Sequence, residues 1–295
     1  MSVAAVIVTY NRSDLLMANL DMLNYQTRKF DSIIIIDNAS TDGTEEKLRE
    51  KQYFKNLPID YILLNSNTGG AGGFSYGVKY AYDMGFDWIV LMDDDGKPAN
   101  SMTIEKLVNR GEYLYISKNR CVMINSLVTY DGENLSFTIP YTMNEIKVAQ
   151  KTGQLLEGAI SPFNCTLISK EVVTCVGAPR ADFFIACDER EYIARNQRNG
   201  TYIATVSDSI YLHPQSRDGL IKDKCNFYET FENTNKEYYY TRNTICMEKN
   251  LRSALRVLTN RIITISKFED KKFERLCICT KATVDALLGR MGKRM

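Results

Sequence analysis

The stretch Trp88-Ile89-Val90-Leu91-Met92-Asp93-Asp94-Asp95 joins a continuous apolar run to three adjacent carboxylates. An apolar run of this length is typical of a strand that is buried on both faces, as in a parallel sheet. Three similar runs precede it, at residues 3–8, 32–36 and 61–64. Helix patterns lie between the runs, at residues 14–24, 44–52 and 74–84. This alternation predicts a doubly wound α/β arrangement.

Polar residues follow each of these four strands at its carboxyl end, where open α/β sheets bind their ligands. The first three strand ends carry Thr9, Asn11 and Arg12, then Asp37, then Asn67, Gly69 and Gly70. The fourth end carries Asp93-Asp94-Asp95, which we call the acidic triplet. An acid at the second strand end can accept hydrogen bonds from a nucleobase or a ribose. The four ends together predict one continuous binding site.

The acidic triplet has the composition of a metal site. Three adjacent carboxylates repel one another unless a cation lies among them, although a solvated acidic turn is the alternative explanation. Alternate residues of an extended chain point the same way, so Asp93 and Asp95 can share one cation. Hard carboxylate oxygens suit Mg²⁺ or Mn²⁺, and such an ion can neutralise a pyrophosphate leaving group.

Residues 67–74 contain four glycines within five positions and precede a helix pattern. Glycines let the backbone approach a ligand closely, and a helix N-terminus favours anions. A flexible turn is the alternative explanation. The spacing is neither a Walker A loop nor G-x-G-x-x-G, so it does not indicate ATP or NAD binding.

The second half of the chain carries two further candidate groups. An apolar stretch at 183–187 opens onto Asp188-Glu189, which we call the carboxylate pair. The pair either supplies a general base or forms the acidic first turn of a helix. His213 is the only histidine and follows a strand pattern, so it is either a metal ligand or a structural residue.

The composition argues against several classes of protein. A net charge of +1 argues against a dedicated nucleic-acid binder. Eight scattered cysteines without a C-x-x-C pair, and a single histidine, argue against a Cys/His zinc site. We find no secretory signal and no uninterrupted apolar stretch of about 18 residues, so we expect free thiols in a reducing cytoplasm.

The C-terminal region, residues 226–295, is predicted to be helical, with helices at 235–258 and 267–289, while residues 1–225 form the main domain. Residues 249–295 hold 12 Lys and Arg against 4 Asp and Glu, a net charge of +8. Two interpretations are compatible with this charge. One is a lid and dimer surface with solvated charges, and the other is peripheral docking to the inner face of the cell membrane.

Residues 6–12 and 36–44 are similar to the nucleotide-binding signature of the family 2 inverting glycosyltransferases of GT-A fold. The order of the motifs also matches, and the resemblance covers essentially the whole chain. Residues 67–74 and 91–95 look most like the bacterial galactofuranosyltransferases, with the rhamnosyltransferases as close relatives. Residues 238–243 and 285–292 resemble the C-terminal region of that subgroup. The resemblance implies a GT-A-type doubly wound mixed sheet with a Rossmann-like nucleotide-binding half and a helical C-terminal region.

The resemblance also implies roles for residues on the donor side of the site. Those that would line the nucleotide or its phosphates are Thr9, Asn11, Arg12, Asn67, Gly69 and Gly70. Asp37 would contact the uracil and ribose. Asp93 and Asp95 would hold the metal with His213 as the third protein ligand, and Asp94 would lie near the donor sugar.

The base would come from the carboxylate pair. The catalytic Asp of the family aligns with Glu189, which departs from that pattern by one methylene, and Asp188 is the alternative. In the implied reaction the base deprotonates an acceptor hydroxyl. The hydroxyl then attacks the anomeric carbon from the opposite face, in one displacement with inversion.

The implied donor is UDP-galactofuranose, and the implied acceptor is a growing cell-surface glycan that is often lipid-linked. Rhamnosyl transfer from dTDP-rhamnose is the alternative. A nucleotidyltransferase would need an activating basic loop early in the chain, and residues 9–12 do not look like one. A non-catalytic sugar-nucleotide binder is a further alternative, although the acidic triplet, the carboxylate pair and His213 argue against it.

Overall fold

The computed structural model describes residues 1–118, 120–161, 163–215, 219–223, 226–248 and 251–295. The strands are β1 (Val3–Thr9), β2 (Ser32–Asp37), β3 (Ile59–Leu63), β4 (Trp88–Asp93), β5 (Lys97–Pro98), β6 (Val122–Thr129), β7 (Leu155–Glu157), β8 (Thr166–Ser169), β9 (Tyr202–Leu212), β10 (Gly219–Asp223) and β11 (Asn226–Thr230). The α-helices are α1 (Ser13–Asn24), α2 (Thr44–Glu50), α3 (Tyr53–Asn56), α4 (Gly69–Asp83), α5 (Thr103–Ser117), α6 (Met143–Thr152), α7 (Lys170–Val176), α8 (Asp188–Arg198), α9 (Thr234–Met247), α10 (Leu251–Phe268) and α11 (Lys272–Leu287).

The four apolar runs of the first half form the parallel part of the sheet, in the order β3-β2-β1-β4. Beyond β4 the directions are mixed. β8 is antiparallel to both β4 and β6, β9 is parallel to β6, and β5 and β7 are antiparallel to β9. Within the described residues these nine strands make one mixed sheet, and β10 and β11 make a separate hairpin. The predicted doubly wound α/β fold is confirmed.

Alternate residues of β1 face opposite layers of helices, which is the period-two pattern of a strand. The odd-numbered residues from Val3 to Ile7 share a buried core with α1 and α5. The even-numbered residues from Ala4 to Val8 share a second core with α4. Both faces of β1 are therefore buried, which explains why the run is apolar throughout.

Helix α4 begins at Gly69, earlier than the pattern at 74–84 predicted, so the glycine-rich run forms its first turn. Packing explains two of the glycines. A Cβ on Gly73 would lie 2.5 Å from Val8 Cγ1, and a Cβ on Gly77 would lie 2.3 Å from Val6 Cγ1. Because these side chains are missing, α4 packs close against β1 and its N-terminus reaches the strand ends.

The C-terminal region is helical only from Thr234 onward, so the prediction of helix from residue 226 is wrong at its start. Residues 226–230 form β11 and pair with β10. Their aromatic and β-branched content favours a strand once a partner strand is present. The single helix predicted at 235–258 is divided into α9 and α10, because Glu248 has extended backbone. Among the described helices, none combines the length and hydropathy needed to cross a bilayer.

A buried charge network ties α9, α10 and α11 together. Glu237 of α9 accepts hydrogen bonds from Arg261 of α10 and from Arg275 of α11. All three side chains are at most 4% exposed. Tyr238 adds a second link, since its hydroxyl donates to Asp285 of α11 at 2.6 Å. The three helices are thus organised around α9.

Candidate active site

The acidic triplet leaves the sheet at the end of β4. Asp93 is the last residue of that strand, and Val8 near the end of β1 is paired with it. The short strand β5 follows the triplet and pairs Lys97 with Leu212 at the end of β9. This pairing brings His213, the next residue, beside carboxylates that are far from it in sequence.

Asp93, Asp95 and His213 form the cluster that the resemblance implied as a metal site. One ligand atom from each residue lies within 4.8 Å of the other two. His213 Nδ1 lies 2.7 Å from the carbonyl oxygen of Pro214, and Nε2 lies 3.2 Å from Asp95 Oδ1. With a proton on Nδ1 donated to that carbonyl, the Nε2 lone pair is free for a metal.

The carboxylate oxygens of this cluster also fit a hard cation. Asp95 Oδ1 is buried, and apart from the contact with His213 it has no hydrogen-bonding partner among the described residues. A buried carboxylate oxygen without a donor is costly unless a cation satisfies it. Two carboxylates and one imidazole, completed by phosphate oxygens and water, suit Mn²⁺ or Mg²⁺.

The electrostatics of the site point the same way. Burial raises the pKa of Asp93 well above its ordinary value, and the charges of Asp95 and Glu189 add to the effect. Burial also raises the pKa of Asp94 to about 6. Burial acts against ionisation of Asp95 as well, but the contact with His213 and the charge of Arg12 together outweigh it and lower the pKa of Asp95. The pKa of His213 is raised, because Asp95 and Asp93 outweigh its burial. A divalent cation would relieve this repulsion.

Thr9 and Arg12 line the cavity and contact the acidic triplet directly. Thr9 Oγ1 donates to Asp94 Oδ2 at 2.8 Å. Arg12 Nη1 lies 3.2 Å from Asp94 Oδ1 and 3.0 Å from Asp95 Oδ2. The Arg12 side chain is 53% exposed, so it can reorient toward a phosphate. The nucleotide contacts assigned to Thr9 and Arg12, and the contact of Asp94 with the donor sugar, stay predictions.

Asn11 and Asp37 lie at the edge of the site and bond within the protein. Asp37 is 1% exposed, and its two oxygens accept hydrogen bonds from the Tyr61 hydroxyl at 2.5 Å and the Ser40 N–H at 2.7 Å. Asn11 Oδ1 accepts from the Thr41 N–H at 2.7 Å. Neither Asn11 nor Asp37 is among the described residues that line the cavity. Their nucleotide contacts stay predictions.

Asn67, Gly69 and Gly70 lie on the cavity wall at the start of α4. Gly69 has a φ of +74°, and a Cβ there would lie 1.9 Å from the carbonyl oxygen of Phe184, so a larger residue does not fit. At Gly70 a Cβ would meet no described atom within 4 Å. In the first turn of α4 the Gly69 N–H donates to Asn67 Oδ1 at 2.8 Å and the Ala71 N–H donates to the Phe184 carbonyl. Gly70 is the position on the cavity wall whose backbone N–H can serve an anion at the start of the helix.

Asn38 is a residue that sequence reasoning left out of the site. Its Nδ2 donates to the Gly69 carbonyl at 3.1 Å, and its Oδ1 accepts from the Thr68 hydroxyl at 2.8 Å. Asn38 is 2% exposed and lines the cavity, so it fastens the start of α4 to the end of β2. Its place directly after Asp37 was a usable signal, but asparagine is also common in plain turns.

The carboxylate pair begins α8 and lines the same cavity as the acidic triplet. Asp188 is 4% exposed, and burial together with the charge of Glu189 raises its pKa well above the ordinary value. The charge of Glu189 also acts on Asp93, so the two acidic groups influence each other electrostatically. Folding thus brings together the two groups that the sequence singled out separately.

The cavity has a volume of about 1120 Å³. Part of its wall is aromatic and basic, and sequence reasoning did not find these residues: Phe137, Tyr141, Arg190, Phe231, Lys236 and Tyr240. Arg190 Nη1 lies 3.3 Å from the Tyr240 hydroxyl, and the rings of Phe231 and Tyr240 are 4.8 Å apart. These residues come from separate segments, so no local motif marks them. Such a wall suits sugar rings and anionic groups.

Comparison with known proteins identifies the family of this chain. The sequence profile described as Glycosyl transferase family 2 matches residues 4–170. The chain belongs to this family. It is 32% identical over 224 residues to the galactofuranosyltransferase GlfT1 of Mycolicibacterium smegmatis, which covers 73% of this chain and 72% of the relative. It is 24% identical to the dTDP-rhamnosyl transferase RfbF of Shigella flexneri over 322 aligned positions, which cover 99% of this chain and 97% of the relative.

The fold of this family 2 glycosyltransferase is also similar to a solved structure, GalNAc-T7 with UDP, GalNAc and Mn²⁺. The TM-score is 0.62 at 15% identity, covering 96% of this chain and 54% of that chain. The GT-A-type mixed sheet is thereby confirmed. The family match ends at residue 170, before α8, which begins with the carboxylate pair, and before β9, which leads to His213.

Proposed function

We propose that this glycosyltransferase moves galactofuranose from UDP-galactofuranose to a hydroxyl of a growing cell-surface glycan, with inversion. The observation that carries the proposal is the cavity lined by Asp93, Asp95 and the carboxylate pair, with His213 in contact with Asp95. A metal ion held by the cluster would bind a nucleoside diphosphate, and the carboxylate pair would take a proton from an acceptor hydroxyl. The choice of donor is supported by the 32% identity to GlfT1.

Asp93, Asp95 and His213 would hold Mn²⁺ or Mg²⁺, which when bound supplies charge stabilisation for the departing diphosphate. The first turn of α4 adds a backbone donor at Gly70. Arg12, released from Asp94 and Asp95, contributes a guanidinium to the same oxygens. These groups act on charge that develops as the bond to the sugar breaks, which is where preorganised donors accelerate a reaction most.

Glu189 accepts the proton of the acceptor hydroxyl, and Asp188 is the alternative base. Asp188 is almost fully buried and its pKa is raised, so it holds a proton more readily than an exposed carboxyl group. A protonated Asp188 can donate a hydrogen bond to Glu189 and keep it oriented. Because the hydroxyl attacks directly, no covalent enzyme intermediate forms. The aromatic and basic wall is the place we assign to the acceptor.

We also propose that α10 docks at the cytoplasmic face of the membrane, where lipid-linked acceptors lie. Leu251, Leu255 and Ile262 fall on one face of α10 and are 64%, 52% and 41% exposed. Arg252 and Arg256 flank them and are exposed. An apolar stripe with adjacent guanidinium groups suits an anionic lipid surface.

Vesicle sedimentation tests the docking proposal. Wild-type protein should pellet with phosphatidylglycerol vesicles at low salt and be released from them at high salt, while Leu255→Glu should stay in solution. Leu63→Glu is a matched control, because Leu63 is 54% exposed at the end of β3, outside the stripe. A protein that ignores the vesicles but dimerises through this stripe would favour the dimer surface instead.

Release of UDP tests the main proposal. The protein is incubated with Mn²⁺, candidate glycan acceptors and UDP-galactofuranose, and free UDP is measured. Transfer from dTDP-rhamnose but not from UDP-galactofuranose would favour the rhamnosyltransferase alternative. The relative that supports this alternative, RfbF, aligns with 99% of this chain. Binding of both nucleotides without any release would favour a non-catalytic binder.

A further inference from the structure

Residues 181–187, which we call the approach loop, lead directly into the carboxylate pair and have strained backbone. Phe184 forms the centre of a γ-turn, with φ +66° and ψ −64°. Ala186 and Cys187 follow with φ of +66° and +65°. Left-handed φ is costly for any residue with a Cβ, so such backbone persists only where its surroundings hold it.

Two neighbouring side chains of α9, Asn243 and Arg242, hold this backbone. Asn243 Nδ2 donates to the carbonyl oxygens of Phe183, Ile185 and Ala186, at 3.0, 3.0 and 2.8 Å. Asn243 is fully buried, and its Oδ1 accepts from Arg242 Nε at 2.9 Å. Arg242 is also fully buried and donates to the Phe183 carbonyl at 2.9 Å. A single carboxamide thus bridges three carbonyl groups of the approach loop.

The approach loop also contacts the donor side of the site. The Phe184 carbonyl accepts from the Ala71 N–H at 3.1 Å, within the first turn of α4. Its oxygen occupies the space that a Cβ on Gly69 would need. The conformation of the loop therefore sets the spacing between the phosphate-facing turn and the carboxylate pair.

We propose that Asn243 is a positioning residue that places the carboxylate pair by holding the approach loop in its strained conformation. Asn243 itself is not among the described residues that line the cavity. The proposal rests on the proposed function, in which the pair supplies the base. A base must lie within hydrogen-bonding reach of the proton that it removes, and a misplacement of about 1 Å can cost about 100-fold in rate.

The first test compares Asn243→Ala and Asn243→Asp with wild type. We expect kcat to fall about 100-fold while the affinity for UDP with Mn²⁺ stays unchanged. The matched control is Asn196→Ala, since Asn196 is fully buried at the other end of α8 and donates to the Tyr192 carbonyl at 3.0 Å. Equal losses of kcat at both positions, or a loss of UDP affinity that matches the loss of kcat, would overturn the proposal.

A rescue variant separates positioning from general destabilisation. Glycine adopts left-handed φ without the Cβ penalty, so Ala186→Gly should repopulate the native loop when Asn243 is absent. The double variant Asn243→Ala with Ala186→Gly is expected to recover about fivefold in kcat over Asn243→Ala alone. A double variant no faster than Asn243→Ala contradicts the proposal.

Hydrogen exchange of the approach loop gives a readout that does not depend on turnover. Without donor, exchange over residues 182–190 should rise about tenfold in Asn243→Ala and stay at the wild-type rate in Asn196→Ala. Unchanged exchange in Asn243→Ala overturns the proposal. Raised exchange in a protein whose wild type transfers no sugar supports the holding role and refutes the proposed function. If Asn243→Ala does not fold, the isosteric Asn243→Asp, which sets an oxygen against three carbonyls, gives the same comparison.

Discussion

At the residue scale, the site concentrates acidic groups in a cavity with few compensating charges. Asp93 and Asp188 are both carboxylic acids whose pKa is raised by burial and by neighbouring carboxylates. Arg12 is the described cation that contacts the acidic triplet, and it reaches only Asp94 and Asp95. The uncompensated charge is what a metal and a nucleotide would complete.

Replacing Asp95 by Ala is expected to remove metal-dependent transfer. Asp95 supplies both the ligand oxygen that lacks a hydrogen bond and the contact with His213. We expect kcat to fall by at least about 100-fold, the effect of losing one preorganised charge-stabilising group. Turnover is measured as UDP release against Mn²⁺ concentration. Asp131→Ala, which alters an exposed turn, is the control, and near-normal turnover in Asp95→Ala would refute the metal assignment.

The affinity for Mn²⁺ is expected to weaken as the pH falls. The pKa values of Asp93 and His213 are raised, so both groups hold protons at a higher pH than usual, and a metal must displace those protons. The apparent Kd should rise about tenfold per pH unit for each proton displaced, in a window that begins above pH 6.5. Titration calorimetry at pH 8 and pH 6 measures this. An affinity independent of pH over that range contradicts the prediction.

At the scale of elements, α9 serves two neighbours at once. Glu237 forms the buried charge network that ties α10 and α11 to α9. Asn243, farther along the same helix, holds the approach loop. Helix α9 therefore links the C-terminal helices to the site.

Glu237→Gln should destabilise the protein strongly. The substitution removes the carboxylate that pairs with Arg261 and Arg275. Arg275 keeps Asp270 and Glu269, but the buried guanidinium of Arg261 loses its carboxylate partner among the described residues. Breaking a buried pair in this way costs about 3–5 kcal/mol. Urea unfolding measures the change in the free energy of unfolding. Glu274→Gln, on the exposed side of α11, should cost no more than about 0.5 kcal/mol, and a similar loss in both variants would contradict the expected role of the network.

At the scale of the whole molecule, the C-terminal helices are fastened to the main sheet domain at several points. Arg242 donates to the Phe183 carbonyl at 2.9 Å, and the ring centroids of Phe184 and Tyr239 are 4.9 Å apart. The Gly292 N–H donates to the Asp182 carbonyl at 2.7 Å. The division into residues 1–225 and 226–295 stays a prediction, and these contacts lead us to expect that the two parts unfold together.

Two probes can test that expectation. Trp88 is the only tryptophan and lies in β4, so its fluorescence reports on the sheet, whereas far-ultraviolet circular dichroism weighs the helices. In wild type the two unfolding curves should coincide. Arg242→Ala removes a link between the parts and should separate the curves. Separate curves in wild type would show that the C-terminal region is an independent domain.

The sequence predicts those site residues that lie within a few positions of a strand end, and it does not predict those that come from other segments. The acidic triplet, Asn67, Gly69 and Gly70 follow their strands directly, and each is found at the expected edge of the sheet. Asn38 also follows its strand directly, so its position was a usable signal. The residues of the aromatic and basic wall could not be recognised in the same way, because they come from separate segments and leave no periodic or spaced pattern.

The sequence by itself determined the parallel core and the polar strand ends, because a strand buried on both faces must be apolar throughout and its ligand-binding residues follow it within a few positions. Only the tertiary structure decided that His213 and the carboxylate pair join the triplet. It also decided that residues 226–230 are a strand and that Asn243 holds the approach loop. The physical reason is the same in each case. Strand pairing and hydrogen bonds to backbone carbonyls depend on the partner that folding supplies, and almost any local sequence can provide a carbonyl.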